Sequence, residues 1–433
     1  MRLRSPHDRE IVRLALPALG ALAAEPLYVL ADTAIVGHLG RPQIAALGLA
    51  GTVLAGAFTI FNFLTYGTTA VVARASGAGR KDEAARLAAQ ALWASLGIGA
   101  ALLVICQIVA APLLAGLGGH GRSGDLALLY FRIAAFGLPA ALIALAGQGY
   151  LRGVSNLRRP LEIVVIANVA NLVLEVLFVY VFHWGIAGSA AGTAIAQTGM
   201  AVAFVIELLR PHAPSRRPSW QAMSPLFRIG RQIFVRTVAL YACFLFAASL
   251  LARMGDAEIG AHQIGYQLFL FIALVLDAVA IAGQVIVGRM LGAGDADGAY
   301  AAAVRMIGWS VAVGVVFALV LAPLSHVLPQ AFTSDPDVLH QAALLWPFLA
   351  VMQPIGGAVF ALDGILIGAG DTRFLMWSML AASAIYIVVA SLAYKLGWGV
   401  VGVWAALDVL LLARLALLGP RFVRRKWAVV GWN

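Results

Sequence analysis

Charge is scarce in this chain. Charged residues make up 12% of its 433 positions and hydrophobic ones 62%, whereas soluble domains carry about 25% charged residues. No soluble core hides that much apolar surface, so the composition describes a polytopic membrane protein. Cysteine is nearly absent too. Cys106 and Cys243 both lie inside apolar runs, which makes them small packing residues and excludes a disulfide framework or a thiolate metal site. Also missing are His-Glu-x-x-His, the Walker A loop, Gly-x-Ser-x-Gly and any cysteine–histidine metal spacing. An enzyme is therefore not expected, no residue is assigned as catalytic and no cofactor is implied. Without an ATP site, any pumping has to draw on an ion gradient.

What the chain has is apolar runs long enough to cross a bilayer, at about 20 residues each. They fall near 12–38, 43–73, 87–117, 126–151, 160–183, 185–209, 228–254, 259–291, 299–329, 339–368, 373–396 and 398–420. The run after Met1 continues past Ala24 to Gly37 and holds two acids, so it reads as a first span and not as a signal peptide. The net charge of +10 is a topology signal, not a nucleic-acid footprint, because the arginines sit in short loops. One side collects Arg2, Arg4, Arg9, Arg13, Arg74, Arg80, Lys81, Arg86, Arg152, Arg158 and Arg159, then Arg210, Arg216, Arg217, Arg228, Arg231, Arg289, Arg305, Arg373 and the tail Arg421, Arg424, Arg425 and Lys426. The other holds Arg41, Arg122, Arg132, Arg253 and Lys395. Both termini are expected in the cytoplasm.

The longest polar linker, 211–226, separates an N-terminal lobe (1–210) from a C-terminal lobe (227–433). The lobes repeat at an offset of 215 residues. Arg74, Gly77, Gly79 and Asp82 meet Arg289, Gly292, Gly294 and Asp297, while Pro139 meets Pro354 and Gly149 and Gly153 meet Gly364 and Gly368. The expected fold is thus all-α, with twelve transmembrane helices in two pseudo-symmetric six-helix bundles. Paired glycines four apart suit close helix approach.

Polar residues inside the spans mark the functional candidates. The first span reads Pro17 to His38 and carries Glu25 and Asp32 seven residues apart, on one helical face. A charge at membrane depth costs roughly 2.5–3.5 kcal/mol on insertion scales, so such a residue is a functional candidate. Pro17 and Pro26 each remove a backbone donor and are expected to bend this helix. On the fifth span, Asn168, Asn171 and Glu175 stack on one stripe, and the sixth adds Thr193 and Gln197. These are oxygen ligands suited to a hard monovalent cation or to a proton shared between acids. An interhelical hydrogen-bond network is the bland alternative for Asn168 and Gln197. The second half is polar elsewhere, at Arg236, Asp277, Gln284, Asp363 and Asp408. There, Arg236 either lines a cleft or neutralises an acid.

Three motifs carry a resemblance. They are Leu30-Ala-Asp32-Thr33-Ala-Ile-Val-Gly37-His38, Arg228-Ile-Gly-Arg231-Gln-Ile-Phe-Val-Arg236-Thr237, and Asp277 to Arg289. In that order they resemble the multidrug and toxic-compound extrusion (MATE) family, DinF-like branch, across essentially all twelve spans. The resemblance implies a secondary antiporter that exports cationic or amphipathic compounds in exchange for H⁺ or Na⁺. It assigns ion coupling to Asp32, Asn171, Glu175 and Thr193, with a possible Na⁺ at the same four. The family more often has aspartate where Glu175 stands. The longer side chain shifts the carboxylate by about one C–C bond, ~1.5 Å, which leaves the choice of ion open.

The expected substrate-binding set is Glu25, Tyr28, Asp32, Asn168, Asn171, Glu175, Arg236 and Asp277. Expected partners are a small cationic or amphipathic molecule and membrane lipids, with no nucleic acid and a monomeric state. The expected location is the plasma (inner) membrane of a bacterial-type cell. A flippase for lipid-linked precursors, from the wider superfamily, is the alternative. That activity would want a cleft rich in cationic residues, whereas these spans hold mainly acids.

Overall fold

A computed structural model describes residues 6–213 and 215–431. Arg2 and Arg4 of the charge bias, Pro214 of the linker and the last two residues of the C-terminal lobe lie outside the described residues. Among those described there is helix and no strand. In chain order come α1 (Pro6–Gly37), α2 (Arg41–Phe61), α3 (Phe63–Gly77), α4 (Lys81–Gly116), α5 (Gly121–Ala135), α6 (Leu138–Gly153) and α7 (Arg158–Val176). A π-helical turn, Leu177–Val181, follows α7 and leads to α8 (Gly185–Leu209). The second half holds α9 (Trp220–Ala252), α10 (Asp256–Gly292), α11 (Ala296–Leu321), α12 (Pro336–Gly368), α13 (Thr372–Lys395) and α14 (Gly399–Val423).

Eleven of the described spans are long and apolar enough to cross a membrane, α2 and α3 forming one of them. The count is twelve when α5 and α6, bent by 50°, are taken as one broken span. Large apolar side chains point outward all along them: Ile108 is 73% exposed, Leu245 74% and Leu319 69%. In water such a surface would aggregate. Facing lipid, it is what a bundle requires.

The repeat written in the residues recurs in the elements. The offset of 215 carries Arg41–Gly77 onto α10, and Gly121–Gly153 onto α12. What differs is continuity. The first half breaks at Asn62 and at Phe136–Gly137, where the second half runs unbroken. One turn chemistry serves both copies: Gly79 (φ +73°) and Gly294 (φ +85°) end α3 and α10 in the left-handed region, which glycine enters without steric cost. The paired glycines work as contact points. A Cβ on Gly149 would sit 2.6 Å from the Thr65 carbonyl oxygen, and one on Gly364 would collide with the Ala280 backbone.

The chain divides into two compact units, one of residues 1–19 and 231–433, the other of residues 20–230. The divisions fall inside α1 and α9. The core of the 231–433 unit is built on Trp346, Trp404, Tyr386, Leu345 and Leu349. The 20–230 unit packs Tyr130, Phe131, Leu138 and Ala190 around Val36 and Leu47. Proline does not interrupt α1, which continues as one helix through Pro17 and Pro26.

Candidate functional site

The helices of the 20–230 unit bring one set of acids and hydroxyls together. Asp32 comes from α1, Asn171 and Glu175 from α7, Ser189 and Thr193 from α8, and Tyr130 from α5. Ser189 donates its hydroxyl to Asp32 Oδ1 at 3.0 Å. Glu175 is fully buried beside Asp32 and Ser189, yet neither of its oxygens accepts a hydrogen bond. Asn171 Oδ1 is buried and likewise without a donor. Tyr28 and Thr193 share a hydroxyl–hydroxyl bond of 3.0 Å, and Tyr130 is buried beside Thr193 and Ser189.

Local geometry explains the convergence. Asn171 and Glu175 are one turn apart on α7, and both border Gly192 of α8. A Cβ there would lie 3.3 Å from the Glu175 backbone nitrogen and 3.5 Å from Asn171 Oδ1. The small residue lets α8 approach until Ser189 and Thr193, themselves one turn apart, face the acids. Just past Glu175 the backbone loosens into the π turn Leu177–Val181. Such turns cluster at functional positions, because the extra residue re-aims a side chain.

Several candidates fall elsewhere. Asn168 donates Nδ2 to the Ala24 carbonyl at 3.1 Å, which fastens α7 to α1 two residues ahead of Pro26. Glu25 is exposed and makes no hydrogen bond or ion pair with any described residue. Gln197 turns its Oε1 to Gly137, at the break between α5 and α6. In the other unit Arg236 pairs with Asp363, and Arg414 donates to the same Asp363 oxygen at 2.5 Å. Arg414 is only 2% exposed. Asp277 is half-buried on α10. Of the two uses open to Arg236, neutralising an acid is the one seen.

Sequence reasoning missed Ser189, Tyr130 and Arg414. Ser189 had a signal, since it precedes Thr193 by one helical turn in Gly188-Ser189-Ala-Ala-Gly192-Thr193. Arg414 had one as well, being a lone cation in the middle of the last span. Tyr130 had none, because an aromatic in an apolar run is ordinary packing.

The centre is therefore two carboxyl groups ringed by hydroxyls and an amide oxygen, with three buried acceptor atoms that lack donors. Its acceptors are all oxygens, a set that suits a proton or a hard cation.

Comparison with known proteins agrees with that architecture. The family profile described as MatE matches residues 17–177 and 233–392. Protein DETOXIFICATION 44, chloroplastic, of Arabidopsis thaliana is 31% identical over 94% of this chain and 80% of its own length. DNA damage-inducible protein F of Escherichia coli (strain K12) is 28% identical, covering 100% of this chain and 95% of its own. The solved structure described as MATE in the bent conformation aligns with a TM-score of 0.90 at 20% identity, over 99% of this chain and 96% of that one. The chain belongs to the MATE family of multidrug and toxic-compound efflux transporters: it is a multi-pass membrane transporter with the MATE fold, and not an enzyme.

Proposed function

We propose that this transporter is a secondary antiporter. It exports a cationic or amphipathic small molecule in exchange for an inward-moving H⁺, with Na⁺ as the competing ion, and the Asp32–Glu175 centre couples the two fluxes. One observation carries the proposal: Glu175 Oε1, Glu175 Oε2 and Asn171 Oδ1 are buried without donors beside Asp32. Buried acceptors are nearly always satisfied. A proton on one acid, or a cation among the oxygens, would complete them. Two facing carboxylates repel, so loading the ion relieves the pair and unloading restores a negative centre able to hold a cationic substrate. Coupling requires the ion to bind two conformations unequally. A helix that carries one acid of the pair, and two prolines besides, is a reasonable place for the conformations to differ.

Tyr28 and Thr193 extend the centre toward a substrate, and Asn168 holds α1 in place beside it. Arg236 is assigned here a structural role through Asp363. The lysine and arginine bias supports cytoplasmic termini, and the proposal takes the transporter to be a monomer in a bacterial-type plasma membrane.

Efflux of cationic dyes from proteoliposomes tests this, under a pH gradient alone and then a Na⁺ gradient alone, with Asp32→Asn beside the wild type. Efflux driven by the pH gradient and lost in the variant is the expected result. Efflux driven by Na⁺ alone would make Asp32, Asn171, Glu175 and Thr193 a sodium site. No efflux under either gradient would overturn the antiporter and favour a lipid-precursor flippase, for which the guanidiniums of Arg236 and Arg414 would be the residues to examine.

A further inference from the structure

The two unit boundaries fall inside helices, and each boundary has a holder. Residues 6–19 of α1 belong with the unit of the second half, and Trp220–Gly230 of α9 with the unit of the first. In the unit containing 231–433, Arg305 of α11 grips Asp8 in the first turn of α1 through two bonds of 2.6 and 2.8 Å. Trp309 Nε1 donates to the same carboxylate at 2.8 Å, and Arg289 pairs with Glu10 at 2.6 Å. In the 20–230 unit, Gln90 of α4 donates to the Arg217 carbonyl and accepts from the Ser219 N–H, both at 2.9 Å, just ahead of α9. Trp93 Nε1 donates to the Arg216 carbonyl at 2.8 Å.

Gln90 and Arg305 are mates at the repeat offset of 215. So are Ile11 and Leu226, both buried, the first on the turn held by its clasp and the second directly after Pro225. Each clasp pairs a polar side chain with a tryptophan indole one turn further along the same helix. One is ionic and the other is built of amides. Beyond each clasp comes a weak point. Pro17 removes a helical donor three residues before Gly20, and Pro225 does the same five residues before Gly230.

We infer that Arg305 and Gln90 are a symmetry-related pair of positioning residues. They hold the leading turns of α1 and α9 fixed on their units, so that these spans bend only beyond the clasps, from Pro17 onward on α1 and from Pro225 onward on α9. The parts beyond the bends carry Asp32 on α1 and Arg236 on α9. A turn held by two or three hydrogen bonds beside apolar burial has little reason to detach, since each bond to the Asp8 carboxylate is worth about 1.5–3 kcal/mol and each neutral one at Gln90 and Trp93 about 0.5–1.5 kcal/mol. The clasps stay shut while the spans flex. The link to transport rests on the antiporter proposed above, whereas the clasps themselves can be tested without it.

Hydrogen–deuterium exchange on the purified full chain reads the clasps directly. Arg305→Gln should speed amide exchange in 7–16 by about tenfold or more and leave 216–226 unchanged. Gln90→Leu should do the reverse. Exchanging the charges, Asp8→Arg with Arg305→Asp, should return 7–16 toward wild-type protection, which a merely misfolded protein would not show. Unchanged exchange in Arg305→Gln, or equal loosening everywhere, would overturn the assignment.

A second arm asks whether the clasp opens. In a chain with Cys106→Ala and Cys243→Ala, Asp8→Cys and Arg305→Cys are joined by a reducible bis-methanethiosulfonate. Efflux should persist while they are joined. Arrest on joining, reversed by dithiothreitol, would show that the clasp must open and would overturn its fixed role. If the unmodified chain moves no dye, the antiporter fails and the exchange experiment still decides the clasps.

Discussion

Glu175 is the residue at which burial and bonding disagree most. It is a carboxyl group with no exposed surface and no donor on either oxygen, and such a group costs stability unless something completes it. Asp32 stands beside it but is partly served by Ser189. Asp32→Asn is expected to abolish ion-driven efflux while leaving a folded, membrane-inserted protein, checked by transport and thermal melting side by side. Ser189→Ala strips the donor from Asp32 and should lower stability by about 1.5–3 kcal/mol. It should also move the pH midpoint of transport, a shift that lost packing alone would not give. Asp363 is the opposite case, one acid holding two guanidiniums, the buried one of Arg414 and the half-buried one of Arg236. Asp363→Ala should cost about 3–5 kcal/mol, because it leaves both cations unpaired, and a melting curve would show it.

Among elements, close approach and broken continuity do the positioning. Where α10 meets α12 at Gly364, a Cβ has no room. Gly364→Ala is expected to destabilise by about 1–3 kcal/mol through overpacking. Gly97, inside α4, has nothing within 4 Å of its own would-be Cβ. Gly97→Ala should therefore stabilise by about 0.5–1 kcal/mol, the helix-propensity gain. The two variants together separate contact from propensity in one denaturation series. Breaks in α2–α3 and α5–α6, absent from α10 and α12, show that a shared residue repeat does not enforce equal backbones. The proposed coupling centre sits in the half with the breaks and the π turn, where departures from ideal helix can aim side chains.

For the whole molecule, the repeat and the charge bias make a joint statement. Six spans per half return the chain to its starting side, so both termini should label from one side of the membrane. Cysteines placed at Arg9 and Lys426 in a cysteine-free chain are expected to react with an impermeant maleimide only after spheroplasts are opened. Labelling of either one in intact spheroplasts would contradict the cytoplasmic assignment.

Composition and periodicity determined much by themselves, because membrane spanning is a property of long stretches. Sixty-two per cent apolar residues, runs of about 20, and like residues at a constant offset needed no third dimension. The stripe of Asn171 and Glu175 was legible for the same reason, since helical spacing puts them on one face. Tertiary structure alone decided which face meets which neighbour. It paired Ser189 with Asp32 across 157 positions, drew Tyr130 into the centre and turned Asn168 away to a backbone carbonyl. It also joined Arg414 to Asp363 and set the unit boundaries inside two helices. A single helix's periodicity records its own faces, whereas the partner of a face depends on how close two helices approach, and that is settled by the small residues and backbone breaks of both at once.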